Sequence, residues 1–391
     1  MKQKLSFEDT EIAFRNKTNA DLNRAYWLFR VININLIAKI GPPLTRFAFT
    51  IGLPIKELIK STIFRHFCGG ENIEECRKTI DQLNAGGVGS ILDYSVEGED
   101  EEDTFESTCE EIIKTIRHAD GDERIPFTVF KCTGLARFAL LEKIDAKQPL
   151  NAAEQEEFER IKNRIDRICR CAYDLNVRVM IDAEESWIQD TIDALALEMM
   201  RRYNQENAIV FNTYQLYRND KLAALKSDHQ KAYKENFFLG AKLVRGAYME
   251  KERERAEEFN YPSPIHPDKA STDKAYDDGI RFCLEQISTI SFIAGTHNEN
   301  SCRLLAEWMD HADIAHQDEH VYFSQLLGMS DHLSFNLAAS GYNVAKYVPY
   351  GPVKAVMPYL FRRAAENTSV AGQMSRELRL ITLEKKRRKL D

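Results

Sequence analysis

Eight short runs of apolar, largely β-branched residues recur along the chain, at 88–94, 127–132, 178–183, 208–214, 238–244, 291–296, 321–327 and 343–348. Each has strand length, and each is apolar enough to be covered by helices on one side and filled from the other. Between them lie Glu-, Lys- and Arg-rich segments with apolar residues every three or four positions, as in 152–172 and 185–203, the spacing of an amphipathic helix. Strands alternating with helices predict an α/β fold, and eight of them predict a (βα)8 barrel. A doubly wound sheet is the alternative. Its phosphate-binding signatures are missing, since no G-x-G-x-x-G follows a strand and no G-x-x-x-x-G-K-[ST] occurs. Residues before about 85 show no strand pattern. The expected organisation is an N-terminal helical arm over 1–85 and a barrel over 86–391 that ends in the basic tail 384–389. The run 97–106, with seven acidic residues among ten, is expected to be a solvated loop or frayed turn.

Composition narrows the class without naming an activity. At 391 residues and 43% apolar content the chain can bury a large core, and a net charge of −8 gives no reason to expect nucleic-acid binding. The eight cysteines include no C-x-x-C pair, and Cys169-Arg-Cys171 matches no zinc spacing, so reduced thiols in a cytoplasmic protein are expected. No secretory signal is expected, and no apolar run approaches the roughly 18 residues that cross a bilayer. Residues 25–67 alternate aromatic side chains (Trp27, Phe29, Phe47, Phe49, Phe64) with Arg and Lys. That pattern fits an arm packed on the main domain or a peripheral membrane contact on the inner membrane surface.

Barrels place chemistry at the C-terminal ends of their strands. Those ends carry Lys131; Asp182 and Glu184; Gln215; Lys242, Val244, Arg245, Gly246, Ala247 and Tyr248; Thr296, His297 and Asn298; Gln325; and Tyr347. So many polar groups on an inner rim point to a polar ligand, because buried unpaired charge is costly. The run 359–367 adds Tyr359, Arg362, Arg363 and Glu366 at helical spacing. Two adjacent guanidiniums suit a small carboxylate, although the same pattern also fits an ordinary intrahelical ion pair.

The combination of Tyr359-Leu-Phe-Arg-Arg-Ala-Ala-Glu-Asn367, Lys242-Leu-Val-Arg-Gly-Ala-Tyr248, Ile181-Asp-Ala-Glu184 and Gly295-Thr-His-Asn298 resembles the proline dehydrogenases, in the single-activity form, over about residues 85–372. The resemblance implies an FAD-binding barrel that oxidises L-proline to Δ¹-pyrroline-5-carboxylate, with a quinone as electron acceptor. It implies that Arg362, Arg363 and Lys131 hold the substrate carboxylate and that Asp182 fixes Lys131. Tyr248, Tyr347 and Tyr359 then line the ring pocket, with Leu327 or Leu326 as an apolar wall. Gln215, Lys242, Val244, Arg245, Gly246, Ala247, Thr296, His297, Asn298 and Gln325 would bind FAD, with Lys269 and Thr272 at its phosphates or adenosine and Glu366 at the arginines or the flavin.

Two departures matter. The strand-five motif reads Lys-Leu-Val-Arg where other branches have Arg first and Lys second, and the loop after Gln325 is shorter than in some relatives. Tyr347 favours proline over hydroxyproline, whose oxidising relatives carry a smaller residue there. The alternatives left open are hydroxyproline oxidation, a Schiff-base aldolase on Lys131 or Lys242, a metal site of Asp182, Glu184 and His297, and a non-enzymatic scaffold.

Overall fold

The computed structural model describes residues 5–32, 55–95, 101–369 and 371–390, and the side chains of 364–375 lie outside that description. Phe47 and Phe49 of the aromatic-basic arm fall among the undescribed residues. Each β-branched run forms a strand: β1 (Gly89–Tyr94), β2 (Phe127–Lys131), β3 (Arg178–Asp182), β4 (Val210–Gln215), β5 (Leu239–Val244), β6 (Ile290–Gly295), β7 (Val321–Leu326) and β8 (Val344–Tyr350). They close in chain order into a parallel barrel with helices between them, as the pattern predicts. β4 and β8 are buried along their whole length, which explains why their sequences do not alternate in polarity. The predicted helices at 152–172 and 185–203 appear as Ala152–Asp174 and Ser186–Tyr203. The first opens with a capping box, Asn151 and Glu154 each satisfying the other's backbone N–H.

The chain forms two compact units, Met1–Glu97 with Gln325–Asp391, and Gly98–Ser324. In the second unit the N-terminal ends of the strands are filled by rings. Phe127 of β2 meets Phe211 of β4 at 5.4 Å and Tyr322 of β7 at 4.9 Å, both edge to face. The Arg178 guanidinium lies 5.6 Å from the Phe127 ring and 5.8 Å from that of Tyr322. These contacts set the parity of the barrel. Counting by twos from the rings, the inward positions lead to Lys131 on β2, Asp182 on β3 and Gln215 on β4.

In the same unit the described part of the acidic run, 101–106, is helical from Glu102 on instead of a loop, with Glu101, Glu102 and Asp103 exposed as expected, while 97–100 lie outside the described residues. Residues 102–106 open the Glu102–Ala119 helix, with Phe105 buried. Glu102 pairs with Arg160 at 2.9 Å and with the buried Arg164, and Glu106 pairs with Arg167 at 2.5 Å. Acidic residues are favoured at a helix N-terminus, and three arginines of the neighbouring helix neutralise them.

In the first unit, the Thr10–Phe14 and Asn19–Ile32 helices share an apolar cluster with the C-terminal helices. It includes Phe14, Leu22, Phe29, Phe64, Tyr359, Leu360, Leu380 and Ile381. The basic tail is docked rather than a free surface end. Arg388 donates to the carbonyls of Phe14 (2.7 Å) and Lys17 (2.8 Å), and buried Glu384 takes both Arg387 and Arg388.

Candidate active site

At the C-terminal ends of β2, β3 and β5 the inward parity brings three charges together. The Lys131 Nζ donates to Asp182 Oδ2 at 2.5 Å, and the Lys242 Nζ donates to Asp182 Oδ1. Register makes this local: Lys131 and Asp182 are lateral partners on neighbouring strands. Burial would raise the Asp182 carboxyl, but the two ammoniums outweigh it and hold it well below the usual carboxylate range. The triad therefore carries two positive charges against one negative, a net cationic patch at the barrel's inner rim.

Glu184, two residues beyond Asp182, is directed elsewhere. Its carboxylate accepts from the backbone N–H of Thr133 at 3.0 Å and from the Thr133 hydroxyl at 2.5 Å. Burial pushes its carboxyl up to about 7. Gln215 donates its side-chain amide to the Glu184 carbonyl at 2.7 Å. Both oxygens of Asp182 are committed to lysines and those of Glu184 to Thr133, which leaves neither as an open metal ligand. Among the described residues no group of three or more His, Cys, Asp or Glu side chains is placed to hold a metal ion.

Past β5, Arg245 is held from three sides. It donates to Asp273 at 2.7 Å, to the Thr296 hydroxyl at 2.8 Å and to the Ser301 hydroxyl at 3.0 Å, and stacks 4.3 Å from the Tyr276 ring centroid. Asp273, Ser301 and Tyr276 are missed by a reading confined to strand ends, because they sit on the Lys269–Glu285 and Glu299–His311 helices. Gly246 follows with φ +141°, and a Cβ there would lie 2.4 Å from the Tyr217 ring. Ala247 continues that turn, and buried Tyr248 caps the Met249–Glu258 helix. Val244 ends β5, and Asn298 caps the Glu299–His311 helix through the N–H groups of Asn300 and Ser301. His297 lies between Thr296 and Asn298, half-buried.

The remaining candidates are more scattered. Lys269 is 72% exposed and pairs with Asp273, while the Thr272 hydroxyl donates to the carbonyl of Asp268 in the first turn of the same helix. Gln325 accepts from the hydroxyl of Ser334 at 2.7 Å, directing its amide group toward the Asp331–Ala339 helix. On β8, Lys346 points outward to Asp331, so parity turns Tyr347 inward. The Arg363 guanidinium lies 5.2 Å from the Tyr359 ring centroid, and both residues are buried. Arg362 sits one position earlier, half-buried, and the Glu366 side chain lies outside the described residues. Leu326 packs on the cluster that holds Tyr359, whereas Leu327 lines a separate cavity with Lys17 and His66.

Gln215, Arg245, Thr296 and Asn298 gather polar side chains at three consecutive strand ends, the donor chemistry that a dinucleotide would use if it displaced their present partners. Gly246 keeps its turn free of a side chain, allowing close approach of backbone to a ligand. Lys242 is a buried cation at the same rim.

Known proteins give the comparison. The proline dehydrogenase family model matches residues 76–376. Mitochondrial proline dehydrogenase 1 of Dictyostelium discoideum is 32% identical over 428 residues, covering 97% of this chain and 74% of that protein. The Drosophila melanogaster protein of the same name is 41% identical over 245 residues, 60% of this chain and 36% of its own. The chain thus spans about a third of one curated relative and three-quarters of the other. The solved structure of proline utilization A from Bdellovibrio bacteriovorus superimposes with a TM-score of 0.72 at 20% identity, over 92% of this chain and 38% of that one, which supports the barrel fold. By the match over most of its length, this chain belongs to the proline dehydrogenase family.

Proposed function

We propose that the protein oxidises L-proline to Δ¹-pyrroline-5-carboxylate with FAD as its cofactor, the first step of proline breakdown. The observation that carries this reading is the buried Lys131–Asp182–Lys242 triad, set at the strand ends of a chain in this family. Proline is a zwitterion with one anionic handle and an apolar ring. It needs cations at one end and aromatic or aliphatic walls at the other. In our reading Arg362, Arg363 and Lys131 take the carboxylate, and Asp182 keeps Lys131 aimed. Tyr248, Tyr347, Tyr359 and Leu326 surround the ring. Leu326 is preferred to Leu327 because it shares its apolar cluster with Tyr359.

FAD would be held by Gln215, Lys242, Val244, Arg245, Gly246, Ala247, Thr296, His297, Asn298 and Gln325, with Lys269, Thr272 and Glu366 further out. When bound it supplies the hydride acceptor for the ring carbon next to nitrogen. This chain's own contribution is orientation and charge: Lys242 sets a positive potential at the rim, and Arg245, locked by Asp273 and Ser301, holds its neighbour Thr296 in place. A proton also leaves the substrate amine, and water serves as its acceptor. Tyr347 occupies the space that a ring hydroxyl needs, so proline is favoured over hydroxyproline.

Electrons pass on to a quinone, which places the protein at a membrane surface while the barrel stays in the aqueous phase. No described helix is long and apolar enough to cross a membrane. The arm 1–85, distinct from the barrel 86–391, supplies the contact through exposed Trp27 and Leu58 beside Arg30 and Lys56. Co-sedimentation with anionic vesicles tests this, and binding undiminished in Trp27→Glu/Leu58→Glu would refute it. The function itself is tested by the absorption spectrum of the purified protein. Flavin bands that bleach when L-proline is added without oxygen are expected, and a colourless protein that takes up no FAD would sink the reading.

A further inference from the structure

Between β7 and the Asp331–Ala339 helix runs a four-residue loop, 327–330, four of whose backbone groups are held by distant parts of the first unit. Lys346 on β8 is fully buried, with 0% side-chain exposure. Its Nζ donates to the carbonyls of Met329 (2.5 Å) and Leu326 (3.3 Å) and pairs with Asp331 at 2.9 Å. The other oxygen of Asp331 takes Lys17 at 2.9 Å. His66 Nε2 meets the Gly328 carbonyl at 2.8 Å, and the Ser330 N–H donates to Glu377 of the C-terminal helix. The Leu327 N–H donates to the carbonyl of Tyr347 at 2.9 Å.

The loop has a strained shape that needs such support. Gly328 has φ +78°, and a Cβ there would lie 2.5 Å from the His66 carbonyl oxygen, while Ser330 has φ 51° without being glycine. Burying an ammonium is expensive, and a barrel strand normally fills an outward position with an apolar side chain. Lys346 occupies that position next to Tyr347, where it donates to the carbonyls of Leu326, at the end of β7, and Met329, in the loop. The loop in turn carries Leu326 at its root, packed in the cluster of Tyr359 and Met329.

We propose that Lys346 is a positioning residue which, together with His66, fixes the 326–330 segment against Tyr347 and so sets the size of ring the site admits. This inference rests on the proline reading above. Lys346 touches no substrate in it and acts only through the loop.

The test uses the full-length chain loaded with FAD. Initial rates are measured with L-proline and with its six-membered homologue L-pipecolate, and amide hydrogen exchange is followed at Leu327 and Ser330. Lys346→Met is expected to lower the proline-to-pipecolate ratio of kcat/KM about tenfold, chiefly through the KM for proline, because one ring methylene is discriminated on that scale. Exchange at both amides should rise. Lys17→Met, which touches Asp331 but no loop carbonyl, should leave the ratio within about twofold. A reduced melting temperature with an unchanged ratio in Lys346→Met would show a purely structural role and overturn the proposal. Should that variant fail to fold, His66→Phe, at a half-buried site, replaces it: a ratio that falls supports the proposal, and an unchanged one overturns it. A wild-type protein that oxidises neither amino acid removes the proline reading and this inference with it.

Discussion

At the scale of single residues, the site is a problem of arranging charge. Asp182 stays ionised because Lys131 and Lys242 both donate to it. Arg363 is buried over the Tyr359 ring, and on the proposed function it takes the substrate carboxylate. Replacing it in Arg363→Met is expected to weaken L-proline binding about a hundredfold, about 3 kcal/mol, with the fold retained. Titration of flavin absorbance with proline reads this directly, and an unaltered affinity in both Arg363→Met and Arg362→Met removes the carboxylate clamp. Glu184 makes a different prediction. Burial raises its folded value to about 7, with Lys131 and Thr133 pulling down and Glu185 pushing up. The folded state therefore holds a proton that the unfolded chain releases near 4.5, so stability is lost as pH climbs from about 4.5 to about 7. In Glu184→Gln this loss disappears. Relative to wild type, the variant should gain about 3 kcal/mol between pH 4 and pH 8 in urea unfolding, and parallel pH profiles would contradict the assignment.

At the scale of elements, the turn after β5 is the most demanding piece of backbone near the site. Gly246 combines a left-handed φ with a ring 2.4 Å from any added Cβ. Gly246→Ala should lower the melting temperature by several degrees, about 2–4 kcal/mol, and reduce FAD uptake. Wild-type stability in that variant would mean that the turn relaxes freely. Much at this level is legible in the chain. All eight strands fall within two residues of the β-branched runs, because strand burial depends on side chains a few positions apart. The inward parity of Lys131, Asp182 and Tyr347 follows the same local rule. What escapes is the identity of partners. Nothing near Lys346 in sequence announces Asp331, Lys17 and two loop carbonyls, and Gln325 cannot be seen turning to Ser334. The acidic run before Phe105 gives no sign of its helix because its arginine partners lie about 60 residues later.

At the scale of the whole molecule, the eight free cysteines test how well the interior is closed. Seven are buried and Cys171 is half-buried, and burial pushes the thiols of Cys76, Cys109 and Cys302 up to about 12. An aromatic disulfide reagent at pH 8 should label about one thiol per chain in the native protein and eight in denaturant. Rapid native labelling of three or more would show an interior more open than this. The family and the architecture can be read from the sequence because motifs on several strands occur in barrel order. The division of the chain into two units cannot, since it joins the first 97 residues to the last 67. The rings of Phe127, Phe211 and Tyr322, with Arg178 laid over two of them, stopper the barrel at its floor. These rings and the Lys131–Asp182–Lys242 charges sit at opposite ends of the same strands, so the apolar end anchors the strands while the charged end is left to meet a ligand.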